Sequence, residues 1–306
     1  MNPVQGSAAY QRLVAAAAGL KVPESVRAVM AATPQDPQHG QIWRAVWEDT
    51  VQLLAITAVD DDEVRAVPAS LERYADAETL LLPAGASTLK QPLALWWGLE
   101  QSLPWCVLDR QVSQLTVPLP ASINLALPEP VSGLSAGARW GSAELSLAAP
   151  DAEYRGLLAD HLSTLRAARW APEGSGALPE LLQQRGITAR ALASELDLEP
   201  ARALAVRRGQ HPLTADQAGT LAVLLGLSTH EVLAGNPALP QQVVRELNRP
   251  LRRGQVRALA ARYLESETQA RHRAAYGTFA LAARQDDRSH TDWTARADRY
   301  FELHLG

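Results

Sequence analysis

Cysteine is almost missing from this chain, and its single example, Cys106, can form neither an internal disulfide nor a cysteine metal site. A buried packing role is the reading left for it. Lysine is nearly as scarce: of 29 basic residues only Lys21 and Lys90 are lysines. Almost all positive charge is therefore guanidinium, the group suited to bidentate contact with phosphate or guanine. A GC-rich genome would produce the same bias. No stretch approaches the roughly 20 apolar residues that span a bilayer, and the Ala-rich run at 14–20 lacks a charged leader and a cleavage site. The expectation is a soluble, cytoplasmic protein with no membrane partner. Glycine-rich phosphate loops are absent, and His272, His290 and His304 lack the i, i+4 pairing that would set two imidazoles on one metal. No metal ligand, cofactor or catalytic residue is implied.

What the chain does hold is enough apolar material for a core, 47% hydrophobic over 306 residues, a length that suggests about two domains. Its net charge of -4 hides an asymmetry. Residues 1–150 carry 9 basic and 15 acidic side chains, net -6, whereas 241–306 carry 12 basic and 8 acidic, net +4. Fields act locally, so the front should repel nucleic acid while the tail could attract it.

Helical spacing interrupted by Gly19 and Pro23 predicts two short helices across 7–33, a cap. From Gln41 the pattern changes to short β-rich runs at 42–47, 51–59, 64–67, 79–82, 93–97 and 105–108, a spacing that predicts a small barrel. Asp60, Asp61, Asp62 and Glu63 fall where a hairpin turn would be. Five tryptophans lie in this region; Trp96 and Trp97, as strand neighbours, must point to opposite faces, so one of them should be exposed to a partner or a base. Residues 116–150 are rich in Pro, Gly, Ala and Ser, a connector, and 151–170 form an amphipathic helix before a loop at 171–176. The connector contains Gly133, Leu134, Ser135, Ala136 and Gly137, a Gly-x-Ser-x-Gly pattern. Its prolines and the lack of a following helix make it a linker rather than a nucleophile elbow.

The segment 178–233 punctuates its helices in a definite order. Thr188 can cap a helix whose inner face is Leu192, Ala193 and Leu196; Asp197 to Pro200 make a tight turn; a helix over 201–208 stops at Gly209. Thr214 caps a fourth helix closed by Gly226, and Ser228 caps a fifth. With Gly186, Ile187, Thr188, the pair Leu192, Ala193, the ending Arg207, Arg208, Gly209, then Pro212 and the run Leu225 to Ser228, this segment resembles the lambda-repressor-like, or xenobiotic-response-element, helix-turn-helix family. The resemblance implies a five-helix domain whose third helix enters the major groove while the second crosses the backbone. It implies DNA contacts from Thr188, Arg190, Arg202, Arg207, Arg208, Gln210 and His211, with Arg202 as base reader. Where relatives carry polar reading groups this chain has Ala189, Pro200, Ala201 and Ala205, and 177–240 holds 5 basic against 6 acidic residues. Affinity would then draw on dimerisation or on the tail, where Arg249, Arg252 and Arg253 are candidate phosphate contacts.

The stretch from Gly40 to Ser70 is similar to the opening strands of the MazF/PemK-like toxin barrel, a likeness covering 40–115. That family's ribonucleases use an arginine before the second strand; Glu48, Asp49, Thr50 and Val51 stand there instead, so catalytic roles do not carry over.

The expected fold class is α+β and multidomain. A helical cap and small SH3-like β-barrel would occupy 1–115, a Pro/Gly-rich connector and helix 116–176, an all-α helix-turn-helix domain 177–239, and a helical tail 240–306. The expected function is a homodimeric DNA-binding transcriptional regulator whose barrel senses or recruits a protein partner. The alternative is a toxin-antitoxin or stress-linked interaction module whose MazF/PemK-like barrel binds a partner or retains ribonuclease activity, with the missing arginine pointing to a degenerate enzyme.

Overall fold

Residues alternate between two cores along the strands that follow Gly40. The strands are β1 (Gln41–Trp47), β2 (Thr50–Val59), β3 (Glu63–Ser70), β4 (Thr79–Leu82), β5 (Leu93–Trp96), β6 (Gln101–Pro104), β7 (Leu108–Gln114) and β8 (Arg139–Trp140). Trp43 and Ala45 of β1, Leu54 and Ile56 of β2, and Val64 and Ala66 of β3 pack toward the helices. Ile42, Ala55, Val67 and Ala69 turn into a second core that the sheet encloses with Leu80, Leu95 and Trp97. This period of two follows from the pleat and explains why both faces read as apolar. The computed structural model describes residues 34–117, 119, 137–141, 150–171, 174–209, 211–282 and 292–306. The expected cap at 7–33 and, apart from Gly137, the Gly-x-Ser-x-Gly pattern lie outside them.

All pairings are antiparallel, in the order β7-β1-β2-β3-β5-β4-β8 with β6 also on β3, so the sheet is open and the expected closed barrel is corrected. The rim strands β7 and β8 do not pair with each other. An isolated bridge, Ser87 to Leu115, spans part of the gap.

Ten helices are described: α1 (Pro150–Arg166), α2 (Leu178–Gln184), α3 (Ala189–Glu195), α4 (Pro200–Arg207), α5 (Ala215–Leu225), α6 (Thr229–Ala234), α7 (Gln241–Asn248), α8 (Pro250–Tyr263), α9 (Glu267–Ala282) and α10 (Trp293–Leu305). Helix α1 is fastened to the sheet by polar contacts at its start: Asp151 Oδ1 accepts from the Ala75 N–H at 3.0 Å, Tyr154 Oη meets Ser70 Oγ at 2.7 Å, and Arg155 donates to Asp76 and Glu78. Tyr154 and Leu158 cover Trp96, while Trp97 opens a 3-10 turn and enters the enclosed core. The two rings do go to opposite sides, but both sides are covered, and the expectation that one is exposed is corrected: they are 1% and 4% exposed.

The core on the helical side is continuous. It joins Trp43, Leu54 and Ile56 to Leu162 and Leu165 of α1, Leu192 and Leu221 of the 178–233 segment, and Leu259, Tyr276 and Phe301 of the tail. Residues 34–306 form one compact unit. Helix α8 ends on Leu264 in the left-handed conformation, 94% exposed. Among the described residues no helix is long and apolar enough to cross a membrane.

Candidate nucleic-acid interface

The helices between Leu178 and Ala234 are set by short-range hydrogen bonds. The Thr188 side chain accepts from the Ala191 N–H at 3.2 Å and starts α3. The Asp197 backbone turns left-handed (φ 48°) and the Leu198 N–H returns to the Ala193 carbonyl at 3.0 Å, so α3 stops and Pro200 begins α4 in a first turn that needs no N–H. Helix α4 buries Ala203 and Val206. Gly209 follows at φ 68°, and a Cβ there would lie 2.9 Å from the Pro179 ring, so both backbone and space call for glycine. Capping boxes at Thr214 and Ser228, each with its partner at the third helical position, start α5 and α6. Gly226 ends α5 left-handed.

The turn leaves one flank of α4 open to solvent: Pro200, Ala201, Leu204, Arg207 and Arg208 are exposed, as is Arg190 on α3. Beside this flank lies a groove of about 690 Å³ lined by Asp197, Leu198, Glu199, Ala201, Arg202, Ala205 and His211. The sequence candidates separate here. Arg190, Arg207 and Arg208 are exposed; Arg207 also donates from Nε to the Ile187 carbonyl at 3.2 Å. Thr188 is exposed, but its oxygen is engaged as a cap. Arg202 is half-buried and donates from Nε to His211 Nε2 at 2.8 Å. His211 is only 5% exposed, so its expected place as a phosphate contact is corrected; it holds Arg202 instead. Gln210 lies outside the described residues.

The tail candidates are corrected more sharply. Arg252 is 1% exposed and donates to Glu246, Asp298, Gln255 and the Thr294 carbonyl. Arg253, 3% exposed, donates to the Val107 and Val46 carbonyls, both at 2.9 Å, and pairs with Glu267. Burial brings its pKa down to about 10, the Glu267 carboxylate resisting, so it stays charged at neutral pH. Arg249 is bidentate to Asp36, at 3.0 and 2.9 Å, and its pKa is raised by that hydrogen bonding. None of the three offers a phosphate an open guanidinium: Arg249 and Arg253 tie the tail to Asp36, Val46 and Val107, while the partners of Arg252 all lie within the tail.

No family model, curated protein or solved structure matches this chain. The likeness of 178–233 to the helix-turn-helix family rests on its own residues.

Several polar groups that govern this region were not singled out from sequence. Asn236, fully buried, mimics a strand partner for Leu213: its Oδ1 accepts from the Leu213 N–H at 2.8 Å and its Nδ2 donates to the Leu213 carbonyl at 2.9 Å. Arg271, 1% exposed, donates to the Leu247 and Cys106 carbonyls and pairs with Glu267. Cys106 itself is buried, which pushes its thiol pKa up and keeps it inert. Apart from Glu267, four positions before Arg271 on the same helix, each partner is remote in sequence, so no local pattern signals it. Among the described residues no group of three or more His, Cys, Asp or Glu side chains is placed to hold a metal ion.

Proposed function

We propose that this protein binds duplex DNA through α4, with α3 lying across the phosphate backbone, and acts as a transcriptional regulator. The observation that carries the reading is the tight α3–α4 turn, which leaves the flank of α4 solvent-open with Arg207 and Arg208 at one end and Arg190 on the preceding helix. A helix so presented fits the major groove, and three exposed guanidiniums can meet phosphates on either side of it. Base reading would be sparse: Ala201 and Leu204 suit a thymine methyl, and Arg202 could reach a base only by leaving His211. Two copies on a two-fold related site would compensate for a weak single contact.

Selection of bound fragments from random duplexes tests this, with an Arg190→Ala, Arg207→Ala, Arg208→Ala variant as comparison. An enriched inverted repeat is expected, and the variant should bind it with a salt dependence shallower by about three phosphate contacts, a log-log slope change of roughly 2.7. Absence of enrichment at low salt would rule the reading out. The second reading is a protein-contact module of the toxin-antitoxin or stress-linked kind. It is favoured by Leu204, 37% exposed on a flank bordered by Asp197 and Glu199, whose charges disfavour phosphate. That module would show no retention of DNA at any salt concentration.

A further inference from the structure

Among the described residues, most multi-partner ion-pair networks hold at least as many carboxylates as guanidiniums. Arg155 faces Asp76 and Glu78; Arg273 faces Asp216 and Glu265; Arg249 and Arg252 face Asp36, Glu246 and Asp298. One cluster is different. Arg44, Arg253, Arg257 and Arg271 surround Asp109 and Glu267, and Arg110 also reaches Asp109. Four guanidiniums thus face two carboxylates. Glu48 and Asp49, in the adjoining hairpin, form no ion pair with any of them among the described residues.

Arg44 and Arg110 are direct cross-strand partners in the β1–β7 pairing, and the register shifts between Arg44 and Ala45. Such irregularities re-aim side chains and concentrate beside functional sites. Arg44 Nε donates to Asp109 Oδ2 at 2.7 Å, and Arg257 Nη1 donates to Asp109 Oδ1 at 2.5 Å while its Nε holds Glu267 at 3.1 Å. Arg44 Nη1 and Arg257 Nη2 make no hydrogen bond to the described residues. Exposure is graded across the cluster: the Arg253 and Arg271 side chains are 4% and 1% exposed, those of Arg44, Arg110 and Arg257 are 39%, 24% and 38% exposed. The surrounding guanidiniums hold the Asp109 carboxyl below its ordinary pKa although burial alone would raise it.

We propose that this cluster, at the seam of β1, β7 and α8, is a binding site for a phosphate group. Guanidinium forks from two strands and a helix converge there, and an incoming dianion would neutralise the surplus that the two carboxylates leave. Neither the residues nor the geometry of α4 enters, so the site stands or falls apart from the DNA reading.

Calorimetric titration of the full chain with pyrophosphate at low ionic strength tests the proposal. Saturable binding is expected, weakened about tenfold or more in Arg44→Gln and in Arg257→Gln, since each loses a charge-assisted donor. It should be unchanged in Arg299→Gln, a surface pair on α10. If either cluster variant fails to fold, arginine modification of the wild type by phenylglyoxal replaces it: pyrophosphate should protect Arg44 and Arg257 but not Arg299. No saturable binding, or no such protection, or equal affinity in folded Arg44→Gln and Arg257→Gln, overturns the proposal. A duplex oligonucleotide that displaces the pyrophosphate would identify nucleic acid as the source of the phosphate; a duplex that leaves it bound would identify a free phosphorylated compound.

Discussion

The two arginine-rich regions of this protein use the same side chain in opposite ways. Along α3 and α4, Arg190, Arg207 and Arg208 stand in solvent on short helices whose ends are tied by their own neighbours. Between the sheet and α8–α9, Arg253 and Arg271 are buried, and their donors satisfy carbonyls on β1, beside β7 and at the end of α7. The first region could lose its charges and keep its fold. The second could not, because each buried guanidinium answers backbone groups that would otherwise lack partners. Positive charge in a sequence therefore says nothing about function until burial is known.

Substitution is the most forceful way to break this comparison. Arg253→Ala strands the Val46 and Val107 carbonyls, removes one of the three guanidiniums on Glu267 and empties a buried side-chain volume, and should cost about 3–5 kcal/mol of folding stability. Arg208→Ala, on the exposed end of α4, should cost no more than about 0.5 kcal/mol. Denaturant midpoints read both. Similar costs at the two positions would mean that the seam is not the structural half of the pair.

Acid should separate the regions next. Burial raises the pKa of Asp109 and of Glu267, but the guanidiniums of Arg257, Arg253 and Arg44 around the first, and of Arg253, Arg271 and Arg257 around the second, outweigh it and lower both below their ordinary 3.8 and 4.5. A depressed carboxyl lends stability above its ordinary value and loses it as pH falls through its folded value. The seam should therefore weaken as pH drops below about 4.5, and a pH series of midpoints should flatten in a Glu267→Gln variant. Glu231 is also lowered, by hydrogen bonds from Ser228, but it is exposed at the start of α6 and its replacement should leave the series unchanged in shape. A Glu231→Gln variant that flattened the series as much as Glu267→Gln would assign acid sensitivity to the wrong half.

The contrast also explains what the sequence made legible. Thr188, Thr214, Ser228, Gly209 and Gly226 act on residues within a turn or so of themselves, so their spacing alone announces where helices begin and end. The strand runs were readable for the same reason, through alternation, although β6 and the length of β7 were not. Closure of the sheet was illegible because it depends on whether distant rims meet. The arginines of α8 look like a solvated or phosphate-seeking stripe; their partners Val46, Val107 and Asp109 lie more than 140 positions away, beyond any periodicity. Trp96 failed as an exposed anchor because α1, a later segment, covers it.

The smallest effects probe the locally built half with two glycines that share a conformation and differ in surroundings. Gly226 has φ 67° and nothing within 4 Å of the position a Cβ would take, whereas at Gly209, φ 68°, that position is 2.9 Å from the Pro179 ring. Gly226→Ala measures the left-handed backbone alone and should cost about 1 kcal/mol. Gly209→Ala adds the crowding of α2 against the end of α4 and should cost about 2 kcal/mol. The difference between the two midpoints isolates how firmly Pro179 is held. If Gly209→Ala costs no more than Gly226→Ala, α2 yields to the added methyl, and the end of α4 that carries Arg207 and Arg208 rests on its own hydrogen bonds rather than on packing against α2.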